Sequence, residues 1–326
     1  MNASAPGRSC PLHYRYRPRD LAQRAGANCE VLYVVGGLYG NVQALQRVAE
    51  LFEAERGDKR LVFNGDFHWF DVAADSFMRI QRGVLAFDAT RGNVETELAM
   101  PSADGHDAGC GCAYPDWVGD AVVERSNRIV ARLRETARTV PGACRELAAL
   151  PMWQRIDVGG HRVAIVHGDA QSLAGWGFAQ ETLHRPDEQR RALQWFDEAQ
   201  VDLFASSHTC SPVFQGFPAH GRAFAPLVLN NGAAGMPNLA GAREGLLTRI
   251  ATRPFAGPQR RFGLQRGGLH IDAIAIDYDD AAWQRSFLAQ WPPGSDAHAS
   301  YWSRISAGTD HTIDDALRLE AAPSAA

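Results

Sequence analysis

The stretch VLYVVGGLYGN (31–41) decides the fold. Its first part, Val31–Val35, is an unbroken apolar, β-branched run, which is typical of a strand buried on both faces of a parallel sheet. The run ends in a glycine-bearing turn. From Asn41 onward, apolar residues recur at helical spacing through Glu55. A further apolar run begins at Leu61, and the whole segment therefore predicts a βαβ unit.

Five more apolar runs end abruptly in polar turns. They read LVFNGDFHWFD (61–71), VLAFDATRGNVE (84–95), VAIVHGD (163–169), LFASSHTC (203–210) and LVLNNGAAG (227–235). Side chains at the carboxyl ends of parallel strands point into a crevice that the strands share. Single ligands on several of these turns can therefore converge on one site, without a compact motif such as the Cys-x-x-Cys of a zinc ribbon.

The rest of the chain completes an α/β pattern. A hairpin is predicted from Trp153 to Val166, with Gly159-Gly160 as its turn. Further helices are predicted at 73–82, 120–138, 144–150, 186–200 and 280–290, and further strands at 84–87, 201–205, 227–229, 246–251 and 269–276. The βαβ start, the hairpin and the late strands predict two mixed β-sheets packed face to face, with helices outside, in a four-layer αββα sandwich.

Composition shifts divide the chain into three parts. Residues 1–29 form a predicted N-terminal arm, residues 30–291 the main domain and residues 292–326 a C-terminal tail. A Gly- and Pro-rich stretch, 96–118, is predicted to be a loop inserted into the main domain. A basic segment that runs from Arg253 to Arg266 is either solvated surface or an overhang above the site.

Charge and length exclude some classes of protein. The chain has 326 residues and a net charge of −4, which gives no footprint for general nucleic-acid binding. The first twenty residues lack the apolar segment of a secretory signal. No apolar run approaches the ~20 residues that cross a membrane. We therefore expect a cytoplasmic location, in which the six cysteines are free thiols or metal ligands rather than disulfides. The sequence does not determine the oligomeric state.

The polar turns resemble those of the calcineurin-like metallophosphoesterase family, over about residues 31–252. Gly-Asp, Gly-Asn, His-Gly and Ser-His-Thr follow strand-like runs in the order that this family shows, and NNGAAG lies where the family has a closing asparagine–proline–glycine stretch. The resemblance implies a metal centre built on these turns. The residues at the family's ligand positions are Asp66, Asn93, His167 and His208.

The departures from the family follow a pattern. Gly37 and Tyr39 occupy the positions of the family's first Asp-x-His, Val94 that of the histidine credited with protonating the leaving group, and Cys210 that of the last histidine. The ligands exclusive to the first metal are thus altered, whereas the bridging Asp66 and the partners of the second metal are kept. The resemblance therefore implies one metal per chain, with Cys210 as a further candidate ligand.

The ligand set limits the metal and the chemistry. Two oxygens and two imidazole nitrogens suit Mn, Fe, Ni or Zn better than Mg or Ca. One metal lacks the symmetric clamp of two, and losing such a charge stabiliser costs about 10²–10³ in rate. Losing the general acid costs about another 10²–10⁴. Ordinary family chemistry therefore requires other groups to compensate.

Several side chains near the motifs are candidates for that role. His68 is a candidate catalytic acid or extra ligand, or else a packing residue, and Glu95 keeps an acidic position beside Val94. Together with Asp66 these are the predicted catalytic residues. Arg91 can hold a phosphate oxygen. Tyr39 and Trp69 either stack on a nucleoside or aryl group or fill the space of the missing metal.

The cysteines leave a separate hypothesis open. Cys110 and Cys112 are inert thiols, a redox disulfide, or part of a thiolate site with Cys210 or His106. The sequence thus supports three functions: a one-metal hydrolase of phosphomonoesters or phosphodiesters acting on a small molecule, an inactive phosphate-ligand-binding or interaction protein on the same fold, and a metal–thiolate or redox protein. We favour the first, because relaxed sites lose ligands indiscriminately and this one has not.

Overall fold

The computed structural model describes residues 6–22, 26–100 and 108–319. Its strands are, in chain order, β1 (Ala27–Cys29), β2 (Val31–Val35), β3 (Lys59–Asn64), β4 (Asp88–Thr90), β5 (Trp153–Val158), β6 (His161–Val166), β7 (Leu203–Ser206), β8 (Pro212–Gly216), β9 (Leu227–Asn231), β10 (Gly245–Ala251), β11 (Arg260–Arg266), β12 (Leu269–Ile276) and β13 (Leu317–Arg318). Its α-helices are α1 (Pro18–Ala22), α2 (Val42–Ala54), α3 (Ala74–Val84), α4 (Asn93–Ala99), α5 (Asp120–Thr139), α6 (Ala143–Ala149), α7 (Pro186–Ala199), α8 (Asp280–Gln290), α9 (Asp296–Ala307) and α10 (Ile313–Ala316).

The strands form two mixed sheets. One has the order β1-β5-β6-β7-β9-β8-β13 and the other the order β11-β12-β10-β2-β3-β4. Strands β2, β3 and β4 run parallel in the second sheet, and β6, β7 and β9 run parallel in the first. The polar turns that follow β3, β4, β6 and β7 carry the candidate ligands Asp66, Asn93, His167 and His208.

Side-chain alternation along β2 shows how the layers pack. Leu32 and Val34 belong to a buried cluster that also contains Ile165 and Leu229 of the other sheet. Val31, Tyr33 and Val35 lie in a different cluster, with the apolar face of α2. Both faces of the strand are therefore buried, one against the facing sheet and one against helices. The predicted αββα sandwich is confirmed.

Two buried asparagines join the sheets at the edge where the polar turns lie. Asn64, at the end of β3, donates its side-chain N–H to the carbonyl of Val166 at 2.8 Å. Asn231, at the end of β9, donates to the carbonyls of Gly36 at 3.0 Å and Leu246 at 2.8 Å. Each bond crosses from one sheet to the other, so the turns after the strands are held in fixed relative positions.

Most predicted elements are confirmed, but the strand predicted at 84–87 is wrong. Helix α3 continues through Val84, because Phe77, Ile80 and Val84 form one buried helical face. The strand follows at Asp88–Thr90. The sequence also missed α1, β1, α4, β8, β11, α9, α10 and β13. The predicted loop at 96–118 overlaps the end of α4, which continues to Ala99.

Segments that precede and follow the predicted main domain pack onto it within the described residues. Tyr14 is fully buried and donates its hydroxyl to Glu97 at 2.6 Å, and β1 pairs with β5 as an edge strand. Near the other end, α9 packs against α5. The division into arm, domain and tail stays a prediction. Among the described helices, none combines the length and the apolar character needed to cross a membrane.

The basic segment after β10 spans both ends of its sheet. Strand β10 runs antiparallel to β2, and its last residue pairs with the first residue of β2, so Arg253 lies at the end opposite to the polar turns. Arg260, on the edge strand β11, pairs with Ile274, which pairs with Leu247 beside the end of β2. No residue of the segment lines the cavity beside the candidate ligands, and the overhang stays a prediction.

Candidate metal centre

Four donor atoms converge where the polar turns meet. His167 Nε2 lies 3.2 Å from Asp66 Oδ2, 3.2 Å from Asn93 Oδ1 and 3.2 Å from His208 Nδ1. All four side chains are buried. Among the described residues, Asp66, His167 and His208 are the group of His, Cys, Asp and Glu whose ligand atoms lie within 4.8 Å of one another. The structure thus brings together the four residues that the sequence selected.

Backbone carbonyls fix the tautomer of both histidines. His167 donates from Nδ1 to the carbonyl of Asn64 at 2.9 Å, and His208 donates from Nε2 to the carbonyl of Cys112 at 3.0 Å. When each ring uses one nitrogen as a donor, the other carries a lone pair in the neutral form. Those lone pairs face the centre of the group, as in metal-binding histidines whose second nitrogen is held by an acceptor.

The charges at the centre depend on burial and on mutual contact. Burial and the neighbouring His167 lower the pKa of His208 to about 4. Burial acts most strongly to lower the pKa of His167, but the charge and hydrogen bond of Asp66 and the carbonyl of Asn64 together outweigh it, and that pKa is raised. Two imidazole lone pairs 3.2 Å apart repel each other unless a proton or a cation lies between them. The donor set therefore fits a divalent transition metal.

The loop before α5 positions two of the four candidate ligands. Asn93 donates its side-chain N–H to the carbonyl of Cys110 at 2.9 Å, which directs Oδ1 toward the centre. The carbonyl of Cys112 holds His208 in the same way. Sequence reasoning selected these cysteines for their thiols. Their backbone carbonyls do the positioning, and no residue-type signal could have shown this.

Glu95 organises the Asp66 loop. Its carboxylate is fully buried and accepts hydrogen bonds from the backbone N–H groups of Asp66, Phe67, His68 and Gly92 at 2.8–3.2 Å. Burial first, and then the charge of Asp66, raise the pKa of Glu95. The side chain does not line the cavity described below. These hydrogen bonds hold the turn after β3 against the start of α4.

Three residues at the centre have an uncommon backbone conformation. Tyr39, Asp66 and Cys210 have φ angles of 54°, 51° and 58°, in the left-handed region that non-glycine residues rarely adopt. Each such residue costs about 1–3 kcal/mol, and such strain gathers at functional sites. Gly92 packs so closely on the Asp66 loop that a Cβ there would collide with Asp66 Oδ1.

His68 lies in the core, although it is only two residues from Asp66. Its Nδ1 bonds Asp71 at 2.5 Å and its Nε2 bonds Gln81 at 3.0 Å. The ring stacks on Phe77, with centroids 3.8 Å apart. Burial acts most strongly to lower the pKa of His68, but the charge and hydrogen bond of Asp71, with the charge of Glu95, together outweigh it, and the pKa is raised. The structure does not bring His68 to the cavity.

The other side of the centre is filled by Tyr39. A Cβ added to Gly37 would lie 2.8 Å from the Tyr39 ring, at Cε2, so the phenol occupies the space beside the missing carboxylate. The Tyr39 hydroxyl lies 2.6 Å from Cys210 Sγ. Burial raises the pKa of both groups, so both stay neutral. Val94 is buried in the apolar core.

An aromatic cavity opens beside the candidate ligands. Its accessible volume is about 60 Å³, several times the roughly 10–15 Å³ that a single water molecule needs. Its lining residues are Tyr39, Asp66, Trp69, Asn93, Cys112, Tyr114, Trp176, His208, Thr209, Cys210 and Tyr301. The sequence selected Tyr39 and Trp69. It missed Tyr114, Trp176 and Tyr301, because they come from segments distant from the strand-ending turns.

Other predicted residues lie apart from this cavity. Arg91 is not among the lining residues and donates to the carbonyl of Ala148 at 3.2 Å. Burial lowers the pKa of Arg91. His106 lies outside the described residues.

The cysteines do not form a ligand cluster. All six are free thiols. Within the described part of the chain, no cysteine belongs to the group of ligand atoms around His167. Cys112 and Cys210 line the cavity, but burial raises the pKa of each thiol, which opposes thiolate formation.

Comparison with solved structures finds the same fold elsewhere. A metallophosphoesterase from Sphaerobacter thermophilus shares 15% identity at a TM-score of 0.53, with 86% of this chain and 100% of that chain covered. A hypothetical protein from Pyrococcus horikoshii OT3 shares 12% identity at a TM-score of 0.54, with 86% and 99% covered. The chain therefore has the calcineurin-like metallophosphoesterase fold. The sequence matches no family model and no curated protein.

Proposed function

We propose that this protein is a metal-dependent, phosphoesterase-like hydrolase of a small-molecule phosphoester, with one divalent transition metal per chain and a cytoplasmic location. Manganese, iron, nickel and zinc suit the two oxygen and two nitrogen donors. The observation that carries the proposal is the convergence of four donor atoms with both imidazole tautomers fixed by carbonyls. The ligands would be Asp66, Asn93, His167 and His208, with Cys210 as a further donor only if its contact with Tyr39 breaks.

In phosphoester hydrolysis the oxygen of water bonds to phosphorus, the ester P–O bond breaks and the leaving alcohol takes a proton. A bound metal supplies Lewis acidity. Asp66 holds a negative charge at the centre, because its contact with His167 lowers its pKa against the opposing effect of burial. The Tyr39 hydroxyl, at the cavity wall, can donate a hydrogen bond to a phosphoryl oxygen.

A second candidate function is binding without turnover. The Tyr39 ring fills space where a second metal would need a ligand from residue 37, and His68 and Glu95 are engaged away from the cavity. A phosphate-ligand-binding protein would need the metal but no general acid. The metal–thiolate alternative has no comparable support, because no cysteine of the described residues joins the ligand group.

Metal analysis and turnover together test these proposals. Protein purified without chelator should contain one transition metal per chain, and Asp66→Asn and His208→Ala should lose it. His270→Ala is a matched control, because His270 pairs with Ala251 at the far end of β10. Hydrolysis of 4-nitrophenyl phosphate and bis(4-nitrophenyl) phosphate, with added Mn or Zn, should disappear in the same two variants.

The outcomes separate the candidates. No bound metal, or two metals per chain, would overturn the one-metal centre. One metal without turnover of either ester would support the binding protein instead of the hydrolase.

A further inference from the structure

We propose that the cavity beside the metal centre is a subsite for a planar, uncharged aromatic ester group, and that the preferred substrate is an aryl phosphodiester. The inference rests on the proposed function and narrows its substrate class. The subsite is the aromatic chamber, which we define as Tyr39, Trp69, Tyr114, Trp176 and Tyr301.

The chamber is built from five separate parts of the chain. Tyr39 and Trp69 follow β2 and β3, Tyr114 lies in the loop before α5, Trp176 lies between β6 and α7, and Tyr301 lies in α9. Long-range packing has therefore gathered five rings around one space. Such rings bind planar aromatic groups through their faces and edges.

The chamber adjoins the metal centre directly. The Trp176 ring contacts His208, with centroids 5.5 Å apart at an interplanar angle of 78°. Its indole N–H is bonded to the carbonyl of Cys112 at 3.0 Å, the carbonyl that also holds His208. The Tyr114 ring contacts the Trp176 ring, with centroids 5.9 Å apart. An ester group on a phosphorus atom held at the metal centre would therefore lie next to the aromatic rings of the chamber.

Trp69 provides an independent sign of a ligand. Its side chain is 3% exposed and lines the cavity, yet its indole N–H has no hydrogen-bond partner among the described residues. A buried donor without a partner is destabilising. Because the nitrogen itself is buried, an ester or phosphoryl oxygen of a bound ligand would satisfy it only after a shift of the Trp69 ring toward the cavity.

Charge favours a diester over a monoester. Of the residues that line the cavity, Asp66 alone belongs to the Asp, Glu, Lys and Arg types. With one divalent metal, the centre has a single net positive charge, which one diester anion neutralises. A monoester carries about −1.5 to −2 at pH 7, and no Lys or Arg lines the cavity. The nearby Arg304 is already engaged, because it donates to the carbonyls of Pro237 and Cys210 at 2.8 and 2.9 Å.

The same counting disfavours a quaternary ammonium group, the other ligand class that aromatic rings bind. A cation in the chamber would lie next to the metal and would have no carboxylate of its own, since Asp66 belongs to the metal centre. We therefore assign the chamber to a neutral aromatic group.

The test compares substrates with a common leaving group. Phenyl 4-nitrophenyl phosphate, methyl 4-nitrophenyl phosphate and 4-nitrophenylphosphorylcholine all release 4-nitrophenolate, so they differ in the group that enters the chamber. We expect kcat/KM to favour the phenyl over the methyl ester by roughly three- to tenfold. The monoester 4-nitrophenyl phosphate should be a poorer substrate than the phenyl diester.

Variants separate chamber binding from intrinsic reactivity. Tyr301→Leu removes a chamber ring, whereas Trp302→Leu changes the next residue of α9, which stacks on Phe287 and does not line the cavity. In Tyr301→Leu, the ratio of kcat/KM for the phenyl ester to that for the methyl ester should fall toward the ratio of their uncatalysed hydrolysis rates. In Trp302→Leu, the ratio of kcat/KM should stay at the wild-type value. An unchanged ratio in a folded Tyr301→Leu protein, or preference for the choline ester, would overturn the subsite.

A binding measurement does not depend on turnover. Diphenyl phosphate should quench the tryptophan fluorescence of the metal-loaded protein and dimethyl phosphate should not, because Trp69 and Trp176 line the chamber. Quenching that weakens in Tyr301→Leu, without hydrolysis of any ester, would keep the subsite while the hydrolase proposal fails. Hydrolysis of the esters without preference for the phenyl diester and without quenching by diphenyl phosphate would overturn the subsite, while the hydrolase proposal would stand.

Discussion

The two halves of the centre arise from the same set of strand-ending turns, but they differ in chemistry. In the kept half, Asp66, Asn93 and His208 each place a donor atom 3.2 Å from His167 Nε2. In the altered half, the Tyr39 ring occupies the space beside Gly37, and its hydroxyl contacts a thiol. The kept half presents polar donor atoms that can bind a cation, whereas the altered half is occupied by a neutral phenol and a neutral thiol.

The difference shows that the departures at positions 37 and 39 are coupled. A Cβ at 37 would lie 2.8–2.9 Å from atoms of the Tyr39 ring, so we expect a carboxylate at 37 to require movement or replacement of that ring. The backbone frame is nevertheless intact: Tyr39 N–H still bonds the carbonyl of Asp66 at 3.1 Å, and Gly40 N–H that of Phe67 at 2.8 Å. The turns after β2 and β3 are therefore held together by backbone bonds that do not depend on the side chains at 37 and 39.

The largest effect is expected for Glu95→Ala. Four backbone N–H groups would lose their acceptor, and we expect a loss of about 3–4 kcal/mol in the free energy of unfolding, measured by urea denaturation. Metal content should fall with it, because the Asp66 loop loosens. Glu95→Gln keeps an acceptor oxygen and should be milder. A Glu95→Gln protein with normal stability and metal content but no turnover would restore Glu95 as a catalytic residue.

The coupling of positions 37 and 39 predicts the next effect. Gly37→Asp alone should destabilise the protein by about 2–3 kcal/mol, through the clash with Tyr39 and the left-handed backbone at 37. Adding Tyr39→His should relieve the clash and raise the metal content from one per chain toward two. Thermal unfolding and metal analysis of both proteins check this. Equal stability of the single and the double variant would show that positions 37 and 39 are not coupled.

Tyr39→Phe tests the hydroxyl separately from the ring. Losing the contact with Cys210 should cost about 1 kcal/mol of stability and leave the metal content unchanged, since Tyr39 is not a ligand in the kept half. Denaturant unfolding and metal analysis measure both quantities. A loss of the metal would show that the hydroxyl belongs to the centre.

The smallest effect is expected for the loop thiols. Cys110→Ser and Cys112→Ser keep the carbonyls that position Asn93 and His208, so metal content should stay within about twofold of the wild type. Loss of the metal in either variant would instead support a thiolate ligand and revive the metal–thiolate hypothesis.

The fold was largely readable from the sequence. The run at Val31–Val35 and the helix that Asn41 caps, with its side chain accepting from Ala44 N–H at 2.9 Å, depend on local preferences that short segments express by themselves. The strand predicted at 84–87 failed because Val84 extends a helical face, and periodicity cannot separate a short apolar run from the end of a helix.

The candidate centre was readable only in part. The four converging residues could be selected because they occupy the ligand positions of the family that the turns resemble, and strand direction places those turns around one crevice. His68 and Glu95 lie within two residues of selected positions, yet the left-handed backbone at Asp66 and the packing on Phe77 direct them inward.

The sequence by itself therefore determined the sandwich, the order of the strand-ending turns and the four residues that meet between the sheets. These features depend on apolar runs and on strand direction, which are local. Only the tertiary structure decided that Tyr39 fills the altered half, that carbonyls of the Cys110–Cys112 loop orient two ligands, and that Tyr114, Trp176 and Tyr301 form a chamber. Those features depend on contacts between segments distant along the chain, which no local pattern encodes.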